Sequence, residues 1–130
     1  MSMLSLLGDF IAKIIGEEVL HMADDQLYKL SYLNKLGEIK EKSPALVGKF
    51  MQFEEEVFKA NKVDTKTKEL IAIAVAHTTG CPYCIEAHVG KFKKLGGTPE
   101  EALEAIAVAA ALKAGAAISH SVNALNAFER

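Results

Sequence analysis

An all-α fold of about six helices is the architecture the sequence predicts, and three observations carry it. Apolar residues recur at intervals of three and four along almost the whole chain, while the alternation a half-buried strand needs is almost absent. Start and stop signals divide the pattern: a capping side chain or Pro stands ahead of several runs, and Gly follows them. The 130 residues give the length of one domain, with room for one modest core and not two.

Taken in order, Leu4, Leu7, Ile11, Ile14 and Ile15 fall at helical spacing with charges between them, and Leu6 and Phe10 flank that stripe. A second helical segment, roughly 25–41, carries Leu27, Leu30, Leu33 and Leu36. Ser43 as N-cap and Pro44 at the first helical position open a third. Its Val47, Phe50, Met51, Val57 and Phe58 lie on one side, and Glu54 to Glu56 point to water. Asp64 caps the next helix, which runs through "TKTKELIAIAVAH" to Gly80. Pro82 suits the first turn of another, with Cys81 at or near its N-cap and Gly96-Gly97 at its end. Thr98 and Glu101 then form a capping box around Pro99. The Ala-rich helix that follows is expected to bend near Gly115 and resume to Phe128. The chain shows no internal repeat, linker or low-complexity tail.

Fifteen basic and 17 acidic side chains give a formal net charge of −2. Lys and Arg are scattered rather than striped among aromatics, so nucleic acid is not an expected partner. The apolar N-terminus lacks a basic leading region and a small-residue cleavage site, and Asp9 and Lys13 interrupt it, which argues against a signal peptide. The run Ala105 to Leu112 stops at Lys113, short of the roughly 20 residues that span a bilayer, so no membrane role is expected. These features suit the cytoplasm, where thiols stay reduced and a cysteine pair points to catalysis or metal binding rather than to a structural staple.

The two cysteines lie in "TTGCPYCIEAHVGK". Cys84 and His88 are four apart and share one helix face, so the imidazole can take or share the thiol proton. Cys84 also falls in a first turn, where free backbone N–H groups and the helix dipole favour a thiolate. Cys81, one turn away, is placed to close a disulfide. The preceding helix offers a carboxylate, Glu69, alone among apolar neighbours in "LIAIAVA" surroundings. If the chain reverses at Gly80, Glu69 lies ~15 Å below the turn and His88 ~9 Å, a gap of about one helical turn that a Glu side chain bridges directly or through a water. Such a carboxylate would fix the imidazole tautomer and raise its basicity. Other readings stay open. Cys81, Cys84 and His88 could hold structural zinc with His77 or His120 as fourth ligand, or all three could be packing residues. Tyr83, His77 and His120 are further candidates to line a site, while His21 reads as a surface residue.

"KELIAIAVAHTTGCPYCIEAHVGKFKKLGGTPEEALEAIAVAAAL" resembles the core of the AhpD-like, carboxymuconolactone decarboxylase superfamily: a Glu twelve before the first Cys, CxxC, and His four after the second. The resemblance covers roughly residues 45–128, which makes 45–130 the core and 1–44 an N-terminal helical extension of a single-repeat member. It implies an AhpD-like helical domain and an alkylhydroperoxidase-type dithiol activity, with no cofactor or metal. Carried over by position, Cys84 would be the activated thiol, Cys81 its disulfide partner, and Glu69 with His88 the proton relay. The substrate would be a small organic hydroperoxide and the reductant another thiol carrier of lipoyl type. Two departures stand out: the best-known alkylhydroperoxidase D has a histidine between its cysteines where this chain has Tyr83, and the decarboxylase branch generally lacks the CxxC. The leading expectation is a thiol-dependent peroxidase or disulfide reductase; a zinc-binding or non-enzymatic interaction module and a decarboxylase-like enzyme are the alternative functions. Single-repeat relatives assemble into trimers or hexamers. That habit, with the surplus apolar surface of the first helix and of "AIAVAAALKAGAAI", leads us to expect a homo-oligomer, a hexamer built as three dimers.

Overall fold

The computed structural model describes residues 28–130, and every regular element among them is helical. The chain divides into two units, Met1–Asn34 and Lys35–Arg130, the second of which carries the candidate site. The expected first helix, with Leu4, Leu6, Leu7, Phe10, Ile11, Ile14 and Ile15, and His21 lie outside the described residues.

Leu30–Lys35 form a 3-10 helix, and α-helices follow: α1 (Leu36–Lys42), α2 (Pro44–Phe58), α3 (Thr65–Thr79), α4 (Pro82–Lys94) and α5 (Pro99–Phe128). The segment expected as one helix over 25–41 is therefore split. Its leucines recur every three residues, which is the repeat of a 3-10 turn rather than the 3.6 of an α-helix. Ser43 alone separates α1 from α2, and its N–H returns to the Ile39 carbonyl at 2.9 Å. It occupies the N-cap position as expected, but its hydroxyl makes no capping bond. Its ψ of 59° falls short of the extended range from which a cap side chain reaches the first amides.

Asp64 does cap α3: its carboxylate accepts from the Thr67 N–H at 2.9 Å and the Thr67 hydroxyl at 2.7 Å. Those bonds hold its carboxyl below the ordinary value. Gly80 ends α3 in the left-handed region, φ 69° and ψ 40°, where a side chain would be strained. With Pro82 already the first residue of α4, the reversal is tight and sets the two helices against each other. After α4, Gly97 lies directly over the Phe92 ring, and a methyl group there would collide with it. Thr98 and Glu101 form the expected capping box, with bonds of 3.3 and 2.9 Å. Glu101 also accepts from Lys66 at 2.9 Å, tying the start of α5 to α3.

α5 runs for 30 residues with no break at Gly115, so the helix does not stop and resume there. One Gly costs a helix about 1 kcal/mol relative to Ala, and the alanines on either side are the strongest helix formers. By length and composition α5 is also sufficient to cross a bilayer, although Lys113, His120, Asn123 and Asn126 interrupt its apolar character.

α3 is central, packing against α4 and against α5. The buried residues among those described are Ile73 and Ala76 of α3, Phe92 of α4, and one charged residue, Glu69 of α3. The apolar side expected of α2 is largely open: Phe50, Met51 and Val57 are exposed, and only Val47 and Phe58 are half-buried. Glu55 and Glu56 face water as expected, and Glu54 is half-buried.

Candidate active site

The α3–α4 hairpin carries the chemistry. Cys81 stands at the N-cap of α4 with extended backbone, and its Sγ accepts the N–H of Cys84 at 3.2 Å. Cys81 and Cys84 are joined in a disulfide with Cα atoms 5.3 Å apart, inside the ordinary range for such a bond. The two sulfurs are not equivalent. Cys84 is exposed, whereas Cys81 is half-buried at the mouth of the helix.

One turn along α4, His88 Nδ1 lies 2.6 Å from Oε2 of Glu69, which projects from α3 and is 2% exposed. A carboxylate can only accept, so Nδ1 carries the proton and Nε2 is left as the basic nitrogen of the ring. The bridge expected across about one helical turn is thus direct, because the tight reversal at Gly80 and Cys81 leaves little freedom in the register of the two helices. Phe58 at the end of α2 stacks on the imidazole, with ring centroids 5.0 Å apart and planes within 20°.

Cys84 and His88 open into one cavity of about 470 Å³. α2 and the following loop contribute Val57, Phe58 and Val63, and α3 contributes a stripe of Lys68, Ile71, Ala72, Val75, Ala76 and Thr79. The walls are overwhelmingly apolar, and the Lys68 ammonium is turned towards the end of α2, donating to the carbonyls of Val57 at 2.6 Å and Lys59 at 2.5 Å. An apolar chamber with a sulfur and an imidazole in its wall suits a small organic molecule.

The other candidates lie elsewhere. His77 is exposed at the end of α3, its Nδ1 2.7 Å from the Ile73 carbonyl, and it does not line the cavity. His120 sits on the exposed outer part of α5, and half-buried Tyr83 is not among the cavity residues. Among the described residues no group of three or more His, Cys, Asp or Glu comes together as a metal site, so the zinc set of Cys81, Cys84 and His88 with His77 or His120 is not assembled. The two sulfurs are bonded to each other and His88 is directed to Glu69. Sequence reasoning placed Phe58 on an apolar face without connecting it to the site. Thirty residues separate it from His88, and no local motif pairs them.

Comparison with known proteins gives a consistent grouping. The profile of the Carboxymuconolactone decarboxylase family matches residues 44–127. An uncharacterized protein of the cox locus of Paracoccus denitrificans is 43% identical over 104 residues, covering 80% of this chain and 92% of its own. An uncharacterized protein of Haemophilus influenzae is 40% identical over 92 residues, covering 71% and 81%. Among solved structures, the apo form of a carboxymuconolactone decarboxylase family protein from Legionella pneumophila aligns with TM-score 0.61 and 34% identity, over 76% of this chain and 88% of that one. A family member from Thermotoga maritima, for which a part in the antioxidative response has been suggested, aligns with TM-score 0.56 and 25% identity, over 74% and 85%.

Proposed function

Since this chain belongs to the carboxymuconolactone decarboxylase family, we propose that it is a thiol peroxidase of the alkylhydroperoxidase type, in which Cys84 and Cys81 reduce small organic hydroperoxides and Glu69 with His88 relays the proton. The observation that carries this reading is the 2.6 Å contact between a buried carboxylate and an imidazole that shares an apolar cavity with Cys84. The suggested antioxidative role of the Thermotoga maritima relative supports the same direction.

In the reduced enzyme, His88 takes the Cys84 proton, and Glu69 steadies the imidazolium that results. The thiolate attacks the peroxide: an S–O bond forms, the O–O bond breaks, and the departing alkoxide takes the proton from His88 to leave as an alcohol. Cys84 is then a sulfenic acid. The Cys81 thiol attacks that sulfur, the S–S bond forms, and the S–O bond breaks with release of water. The disulfide is the form seen here. An external dithiol of lipoyl type closes the cycle by becoming a disulfide itself, its two electrons and two protons restoring both cysteines. Its first sulfur would attack exposed Cys84, because Cys81 departs as a thiolate already facing the Cys84 N–H at a helix N-terminus. Run with an external disulfide as oxidant, the same pair would act as a disulfide reductase.

The proposal includes the cytoplasm, whose reducing poise a dithiol cycle requires, and a homo-oligomer, most simply a hexamer built as three dimers. The test is a thiol count on reduced, metal-free protein before and after one equivalent of cumene hydroperoxide. Loss of both thiols of each chain, with one alcohol formed, is expected. Retention of both thiols with the hydroperoxide intact would defeat the proposal.

A further inference from the structure

We infer that Phe58 is a positioning residue for the thiol chemistry: its ring fixes the plane of the His88 imidazole, so that one nitrogen stays on Glu69 while the other remains available at the Cys84 side of the cavity. The inference rests on the proposed role of His88 as base. A single hydrogen bond, Nδ1 to Glu69, pins one point of the ring. Coupled changes of χ1 and χ2 can still tilt the ring plane while Nδ1 stays near Glu69, and the terminal torsion of a histidine is broad. Phe58 supplies the second constraint, since a stack at 5.0 Å and 20° defines a plane rather than a point.

Phe58 is itself held from several directions. Its carbonyl accepts the Thr65 hydroxyl at 3.3 Å, and Lys68 grips the carbonyls on either side of it, Val57 and Lys59, at 2.6 and 2.5 Å. The ammonium of Lys91 lies 5.4 Å from the centre of the Phe58 ring, within reach of a cation–π contact. These anchors come from α3 and α4, the two helices that also carry Glu69 and His88. α2 otherwise spends its large side chains on solvent: Leu46, Phe50 and Phe53 are all exposed. Glu69 of α3 pairs with the imidazole and Lys68 of α3 lines the same cavity, while Lys91 of α4 lies over the Phe58 ring and shares a second groove with it and with Glu54 and Glu55 of α2. Phe58 carries no charge, so replacing it changes the orientation and water exposure of the imidazole without removing a charge from this set.

The test uses the reduced full chain with Cys81→Ser, which leaves Cys84 as the single thiol, and follows iodoacetamide alkylation across pH. Phe58→Ala is expected to slow the reaction near pH 7 about tenfold, part of the ~10²–10⁴-fold that a well-placed general base contributes, and to move the pH profile upward. Phe58→Tyr, which keeps the stack, should restore both rate and profile. Phe58→Leu, which fills the space without offering a plane, should resemble Phe58→Ala; the Leu and Tyr pair decides the matter even if the Ala variant fails to fold. Leu matching the parent would overturn the inference, as would an unchanged Ala profile while His88→Asn is slow. If His88→Asn also leaves alkylation unchanged, the failure lies in the reading of His88 as base.

Discussion

α3, the first arm of the α3–α4 hairpin, and the outer part of α5 are both rich in Ala and aliphatic residues, yet they end in opposite environments. In the hairpin a carboxylate is buried and paired, and Ile73, Ala76 and Phe92 are closed off from water. From Ala111 onward every residue of α5 is exposed, with Leu112 at 70%, Ile118 at 72% and Phe128 at 90%. The Glu69–His88 contact is made within one chain, between α3 and α4. An apolar helix face of that length is stabilised chiefly by packing, and within the described residues little of it is covered. The hairpin carries the proposed chemistry, and outer α5 is the surface on which the proposed homo-oligomer would form.

Four tests break or sharpen that contrast. The largest effect belongs to the hairpin: His88→Asn should slow Cys84 alkylation by about 10²–10⁴-fold and raise the pH at which the thiol reacts. Glu69→Gln, one step removed, should cost less. Unchanged profiles in both variants would remove the relay from the chemistry. Next, Ile118→Glu with Val122→Glu should reduce the mass seen by light scattering from several times 14.1 kDa towards that of one chain, with Cys84 alkylation unchanged. A parent protein that is already monomeric would contradict the assignment of α5. Third, Gly97→Ala drives a methyl group into the Phe92 ring and should destabilise the chain by about 1–3 kcal/mol in urea unfolding. An unaltered midpoint would show that the α4–α5 corner yields easily.

The smallest effect is acid sensitivity. Lys66 and the Thr98 N–H hold Glu101 below its ordinary 4.5, and hydrogen bonds from Thr67 hold Asp64 below 3.8. Folded values below unfolded ones mean that this stabilisation is complete above the ordinary values and is lost as pH falls through the folded ones. Asp64→Asn and Glu101→Gln should therefore flatten the loss of stability below about pH 4.5 and leave its slope near neutrality unchanged. Both groups are exposed, so the change is small.

Much of the hairpin was legible because its determinants are local. Asp64, Gly80, Pro82 and the Thr98–Glu101 box each act within one turn, and a two-residue reversal turns sequence distance into register. That is why the sequence alone pairs Glu69 with His88. The same locality explains the misses. Phe58 reaches His88 across the irregular segment 59–64, whose path no periodicity encodes. Ser43 has the right side chain for a cap on the wrong backbone angle. Gly115 suggests a bend after which the helix resumes, but one glycine does not interrupt a helix with alanines on either side. His77 is the right residue type on a face of α3 that does not line the cavity, and His120 lies on outer α5, which contributes no residue to it.

The most direct measurement on the hairpin is sulfenic acid trapping. Reduced Cys81→Ser protein is treated with cumene hydroperoxide in the presence of dimedone and digested for mass spectrometry, with Cys84→Ser protein treated in parallel. A dimedone adduct on Cys84, formed at a rate that falls when His88→Asn is added, is the expected result. An adduct confined to Cys81 in the Cys84→Ser protein, or none in either, would contradict Cys84 as the peroxide-reducing thiol.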